Sequence, residues 1–228
     1  MKSNLFLASF GQKLGEYIKE DLPKYLGQTL KMVFLSALIA TIFGLLVGTA
    51  LFLLRKSKNK KLMIVYKILD ILVGILRSFP FYVLMFFIIP FTRVIMKMFT
   101  GRAISMSTEA FIVPLSVAAI PFFAKLIENS IMEIDEGVLE ASKALGLSLP
   151  QVVFRVILRE ALPAIISGIT LAIITLVGYS AMAGAIGGGG LGFYAYSVGY
   201  TSYDFTKMMF AVVTIILLVA VIQVAGNL

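Results

Sequence analysis

The residues best suited to chemistry or recognition lie in one polar stretch, residues 125–160, between strongly apolar segments. Residues 136–145 are helix formers, and small apolar side chains alternate there with charged ones such as Glu140 and Lys143. Gly146 follows them, and glycine readily takes the left-handed conformation that ends many helices. The pattern therefore predicts a short helix that stops at Gly146.

A second helix is predicted directly after the first. Ser148 can cap it, and Pro150 falls in its first turn, where the missing N–H is not needed. The resulting helix-turn-helix has two interpretations. It is either a plain connecting hairpin or a docking element that fits a groove on a soluble partner, with Glu140 and Lys143 fixing the register.

Other kinds of chemistry lack the residues they need. The chain has no cysteine and no histidine, which excludes disulfide scaffolds, thiolate zinc sites, Ser-His triads and histidine-ligated redox centres. The glycine run at 187–192 lacks the lysine and the helix context of a phosphate-binding loop, so we interpret it as a flexible or closely packed outer loop. We expect no catalytic, metal or cofactor site in this chain.

Two pairs of side chains could act inside the membrane. Tyr179 and Met182 are three residues apart and share a helix face, which fits either core packing or a gate across a permeation path. Asp70 and Arg77 lie about two turns apart. Either Arg77 snorkels or pairs with a carboxylate, or it braces the polar stretch described above.

The composition defines the class of protein. Of 228 residues, 60% are hydrophobic and 14% are charged, and the mean hydropathy is +0.99. Continuous apolar runs of about 20 residues are typical of helices that cross a bilayer, whereas barrel strands alternate polar and apolar residues. We predict an all-α polytopic membrane protein. The net charge of +8 then indicates loops beside anionic headgroups rather than nucleic-acid binding.

Five transmembrane helices are predicted within one membrane domain, residues 31–228. Residues 1–30 place apolar side chains at three- and four-residue steps, which predicts an amphipathic helix at the membrane surface. Pro80 is expected to kink the second span. The predicted spans are about 32–54, 63–91, 108–131, 160–186 and 207–226, with a cytoplasmic loop at about 132–159.

The orientation follows from the basic residues. The densest Lys/Arg cluster is at 55–61, directly after the first span, and such clusters favour the cytoplasm. With five spans, the N-terminus is then outside, and the 132–159 loop and the C-terminus are cytoplasmic.

The polar stretch resembles the EAA signature of bacterial ABC-importer permeases. Glu140, Ala141 and Ser142 are followed by Gly146 at the signature's spacing, and a Glu-Ala-Leu-Pro sequence follows at 160–163. The chain departs from the signature in having Ser142 in place of a second alanine and Arg159 in place of a proline. The two distinctive positions, Glu140 and Gly146, are retained.

Residues 30–225 further resemble one branch of these permeases, the methionine type. The segments that carry the resemblance are Leu76-Arg77-Ser78-Phe79-Pro80-Phe81 and residues 89–93, 121–122, 178–182 and 187–192.

The resemblance implies a type I importer. Two copies of the chain would form the path for L-methionine, and for D-methionine if that enantiomer is accepted. Two cytoplasmic ATPase subunits would carry ATP and Mg²⁺, and an extracytoplasmic binding protein or lipoprotein would deliver the substrate. The implied ATPase-coupling residues are Glu136, Leu139, Glu140, Ala141, Ser142, Lys143, Ala144 and Gly146, and the implied path or gate residues are Phe79, Pro80, Phe81, Tyr179 and Met182.

Three other functions are alternatives to a methionine permease. A permease for a different amino acid would share the architecture, since specificity in such importers is set largely by the binding protein. An ion-coupled secondary transporter usually needs intramembrane carboxylates and internal repeats, whereas the span at 160–186 is almost free of charge. A membrane enzyme lacks a catalytic constellation here.

Overall fold

The computed structural model describes residues 10–227, apart from the side chain of Lys143, and all regular structure in that range is helical. In chain order the helices are α1 (Phe10–Arg55), α2 (Lys60–Ser78), α3 (Phe81–Phe87), α4 (Ile89–Thr100), α5 (Thr108–Met132), α6 (Glu136–Ala144), α7 (149–160), α8 (Leu162–Gly188), α9 (190–200) and α10 (Phe205–Gly226).

Within the described range, four helices are long and apolar enough to cross a membrane: α1, α5, α8 and α10. The pair α2 and α3 passes the same test when taken together, which gives five spans when the bent pair is counted as one. The prediction of an all-α protein with about five spans is therefore confirmed.

The fifth span is sharply bent. Helices α2 and α3 meet at an angle of 102° across Phe79 and Pro80, whose ψ angles of 122° and 125° are extended. Proline restricts the residue before it to extended conformations and has no N–H for a helix. The kink predicted at Pro80 is present, and the range predicted for this span, about 63–91, covers most of α2, all of α3 and the first residues of α4.

Helix α1 is longer than the span predicted within it. Its 46 residues extend for about 69 Å, more than twice the thickness of the hydrocarbon core. Residues 1–9 of the predicted surface helix lie outside the described range, and from residue 10 the helix continues past residue 30 without a break. The boundary predicted at residue 30 is thus absent, and the surface location stays a prediction.

The first turns of α1 pack against α9 and α10. The Tyr17 ring lies 5.3 Å from those of both Tyr194 and Phe210. The Lys13 ammonium, 2.7 Å from the Asp204 carboxylate, lowers the pKa of that group. These contacts make the N-terminal segment a part of the bundle.

Small residues bring α1 and α5 together. A Cβ at Gly44 would lie 2.6 Å from the Cβ of Phe123, and one at Gly48 would lie 2.5 Å from the carbonyl oxygen of Ala124. Close backbone approach through small residues is typical of membrane helices. Fully buried side chains of α5, such as Leu115 and Phe123, then form the core with α8.

We expect Gly48→Ala to lower the free energy of unfolding by about 1–3 kcal/mol, because the added methyl group meets backbone. The control is Gly27→Ala on the same helix, where nothing lies within 4 Å and alanine is the better helix former. Thermal unfolding of the purified protein measures both. Equal shifts in Tm for the two variants would contradict the close α1–α5 contact.

Candidate coupling helix and substrate path

Helix α6 and the turn after it have the predicted geometry. The helix ends at Ala144, and Gly146 has a φ of +69°. The Leu145 N–H donates to the Ala141 carbonyl at 3.0 Å, and the Leu147 N–H donates to the Ser142 carbonyl at 3.3 Å. These bonds satisfy carbonyl groups that the end of a helix leaves free.

The second helix, α7, begins directly after Ser148, which is its N-cap residue as predicted. The Gln151 side-chain oxygen accepts from the Ser148 backbone N–H at 2.8 Å and from its hydroxyl at 3.0 Å. Pro150 lies in the first turn. The helix-turn-helix is therefore a defined unit rather than an irregular connection.

The outer face of α6 consists of small and charged residues. Glu136, Glu140, Ala141, Ala144 and Gly146 are all exposed. Leu145, at the end of this face, is also 77% exposed. Of the other predicted coupling residues, the side chain of Lys143 lies outside the described part of the chain.

Two predicted coupling residues face inward instead. Leu139 is buried in an apolar cluster with Ile131 of α5 and with Val152 and Val153 of α7. Ser142 is also buried, and its hydroxyl donates to the Val138 carbonyl at 2.7 Å. These residues anchor α6 to its own chain and do not form its outer surface.

A surface ion pair ties α6 to the end of α1. The Lys56 ammonium lies 2.9 Å from a Glu136 carboxylate oxygen, and the Glu136 side chain is 82% exposed. Exposed pairs contribute at most about 1 kcal/mol. The pair nevertheless places the basic cluster at 55–61 at the same end of the molecule as α6.

Next to α6, an ionic network centred on one buried carboxylate joins three helices. Glu128 of α5 is fully buried, and its carboxylate lies 2.6 Å from the Lys125 ammonium and 3.9 Å from the Arg55 guanidinium. The Tyr66 hydroxyl donates to it at 3.4 Å. Lys125 also pairs with Asp70 of α2. The network fixes α1 and α2 to α5.

Sequence reasoning missed this network. Lys125 and Glu128 are opposite charges three residues apart within the predicted span 108–131, a spacing that brings side chains together on a helix. Of the alternatives for Arg77, pairing with a carboxylate is absent among the described residues. Asp70 pairs with Lys125, and the Arg77 guanidinium lies 5.7 Å from the centre of the Phe122 ring.

The predicted path residues are only partly brought together. The Phe81 and Tyr179 rings stack with centroids 4.4 Å apart and an interplanar angle of 6°. Both rings, with Phe79, line a cavity of about 260 Å³ between α3, α5 and α8. Pro80 is exposed at the bend above it. Met182, 48% exposed, lies outside the lining of this cavity.

The glycine run is closely packed against the neighbouring helices. The Gln28 side-chain oxygen accepts from the Gly190 N–H at 2.7 Å, and the Thr108 hydroxyl donates to the Gly188 carbonyl at 3.0 Å. Gly189 and Gly190 have φ angles of +76° and +75°, which favour glycine. The run serves as a tight connection between α8 and α9.

The family of binding-protein-dependent transport system inner membrane components matches residues 40–228. The chain belongs to this family. With its apolar helices, this makes it a multi-pass inner-membrane protein and a permease component of a transport system.

Individual permeases of this family are similar over most of the chain. The probable D-methionine transport system permease protein MetI of Vibrio cholerae is 42% identical over 200 residues, which are 88% of this chain and 86% of that protein. The D-methionine transport system permease protein MetI of Escherichia coli K12 is 44% identical over 160 residues, 69% of this chain and 70% of that protein.

Solved structures share the fold. A structure of the MetNI methionine ABC transporter in inward-facing conformations is 42% identical, with a TM-score of 0.83 over 89% of this chain and 91% of that one. An amino acid ABC transporter with histidines has a TM-score of 0.72 over 96% of this chain and 95% of that chain. Its 20% identity supports the fold alone. The type I importer permease fold predicted from the sequence is thereby confirmed.

We expect Glu128→Gln to lower the free energy of unfolding by about 2 kcal/mol, because fully buried Glu128 loses its charge-assisted bond to half-buried Lys125, which keeps only Asp70. Glu109→Gln, on the same helix, removes an exposed pair with Lys31 and should cost at most about 1 kcal/mol. Denaturant titration of the two purified variants gives the comparison. A Glu128→Gln variant as stable as Glu109→Gln would contradict a structural role for the network.

Proposed function

We propose that this chain is the permease subunit of an ATP-driven methionine importer and works as a pair of identical subunits. The subunit has no catalytic site of its own. ATP and Mg²⁺ bind to two cytoplasmic ATPase subunits, and an extracytoplasmic binding protein delivers the substrate. The observation that carries the proposal is the exposed α6 helix. Buried Leu139 packs it against α5 and α7, and the chain turns away at Gly146.

Helix α6 is suited to lie in a groove of an ATPase subunit. Ala141 and Ala144 are exposed and small, so another backbone can approach closely. Glu140 beside them supplies a charge that fixes the register, and exposed Leu145 supplies apolar contact. Closure of the ATPase dimer would then move α6, and with it α5 and α7.

The proposed orientation places α6 in the cytoplasm. The basic cluster after α1 lies at the α6 end, as the Lys56–Glu136 pair demonstrates. Basic clusters favour the cytoplasmic side of a membrane. Five spans then put the N-terminus outside and the C-terminus inside, as the sequence predicted.

Methionine is proposed as the substrate because permeases named for D-methionine transport are 40–44% identical to this chain. The stacked rings of Phe81 and Tyr179 are compatible with it, since aromatic rings contact thioether sulfur favourably. We propose Phe79, Pro80, Phe81, Tyr179 and Met182 as residues of the path or its gate, and L- and D-methionine as substrates to compare.

Uptake of labelled methionine into proteoliposomes that hold the permease, its ATPase and the binding protein tests the proposal. We expect uptake to require ATP and to fall at least about tenfold in Glu140→Ala, because α6 loses the charge that fixes its register on the ATPase. Glu133→Ala provides the control, since Glu133 is exposed but precedes α6.

Uptake that persists without ATP would contradict the proposed importer and favour an ion-coupled carrier. ATP-dependent uptake that is equal in the Glu140→Ala and Glu133→Ala variants would contradict the coupling role of α6 alone.

A further inference from the structure

The cavity between α3, α5 and α8 contains a cation without an acidic partner. Arg77, at the C-terminal end of α2, lines this cavity of about 260 Å³ together with Phe79, Phe81, Phe122 and Tyr179. Among the described residues, no carboxylate lies within ion-pairing distance of Arg77. Its recorded contact is with the face of the Phe122 ring, 5.7 Å away.

The position of Arg77 explains why its charge needs no protein carboxylate. It is exposed and occupies the last turn of α2, where the free carbonyl groups of a helix stabilise a cation. The guanidinium therefore keeps its donors available. In Tyr179, the hydroxyl likewise has no hydrogen-bond partner among residues 10–227, so the lining carries two sets of unused donors.

The rest of the lining is apolar or aromatic. Phe81 and Tyr179 stack at 4.4 Å, and Leu76 and Ala118 complete the wall. The lining has no acidic side chain. Beyond the zwitterionic backbone that every amino acid has, a cationic side chain would add a positive charge near Arg77 with no acidic residue to pair with it, which is unfavourable. An uncharged, flexible side chain would instead contact aromatic rings.

We propose that this cavity binds an amino acid that has an uncharged, apolar side chain, and that it recognises the α-carboxylate of this ligand. The Arg77 guanidinium and the Tyr179 hydroxyl hold the carboxylate, and the aromatic walls hold the side chain. Arginine binds carboxylates through two parallel hydrogen bonds. The cavity volume of about 260 Å³ is slightly smaller than the roughly 300 Å³ of the smallest sites for drug-sized ligands. The cavity therefore suits one small ligand.

This inference rests on the proposed function, since methionine is the ligand that would pass the site. It goes further by giving the permease a selectivity of its own, after release from the binding protein. The carboxylate becomes a requirement for passage. A path that selected its ligands by size alone would bind methionine and its alcohol, methioninol, equally well.

Equilibrium binding of labelled methionine to the permease–ATPase complex in lipid nanodiscs, without binding protein or ATP, tests the site. We expect saturable binding, with methioninol competing about 10- to 100-fold more weakly than methionine, because it lacks the charged acceptor. In Arg77→Gln, methionine should bind about as weakly as methioninol. In Tyr179→Phe, which keeps the ring stack, a smaller loss is expected.

The matched control is Arg93→Gln, because Arg93 lies on α4 and its Nε contacts Ser105, 3.4 Å away. That variant should bind methionine as the unmodified chain does. Size-exclusion chromatography with the ATPase confirms that each variant is assembled. Equal competition by methioninol and methionine, or full discrimination retained in Arg77→Gln, would overturn the proposal.

Two further outcomes separate this proposal from its alternatives. If no saturable binding occurs although ATP-driven methionine uptake is intact, the site is refuted and the importer function stands. If Arg77→Gln instead loses co-purifying anionic lipid and keeps methionine binding, the cation holds a headgroup phosphate, and the amino-acid site is refuted.

Discussion

The close contact between α1 and α5 is the constraint on which the rest of the molecule depends. It exists because Gly44 and Gly48 leave no side chain between the two backbones. Helix α5 then contacts each of the elements to which a function is assigned. Ile131 supports α6, Glu128 and Lys125 fix α1 and α2, and Phe122 lines the cavity.

One rigid element thus connects the proposed coupling surface to the proposed path. Ile131 and Phe122 are nine positions apart on α5, or about 14 Å along the helix axis. In the proposed mechanism, a displacement of α6 would pass to α5 through the packed side chains of Leu139 and Ile131. Since Asp70 of α2 pairs with Lys125 of α5, the same motion would reach α2 and the bend at Pro80 that follows it.

The sequence predicted what depends on local patterns. Apolar runs identified the spans, and Gly146 and Ser148 identified the ends of α6 and α7, because caps are decided by a few adjacent residues. It could not separate the inner face of α6 from its outer face. Leu139 and Ser142 are buried only because α5 and α7 pack on them. The Glu128 network and the cavity likewise join residues distant in sequence, and no single segment contains their signal.

The central claim is that α6 lies against an ATPase subunit, and site-directed cross-linking tests it most directly. The chain has no cysteine, so Ala141→Cys provides a single thiol on the outer face of α6. We predict that it forms a cross-link with a cysteine in the ATPase groove, and that Ala103→Cys, exposed between α4 and α5, does not. A cross-link from Ala103→Cys, or none from Ala141→Cys in an assembled complex, would contradict the account.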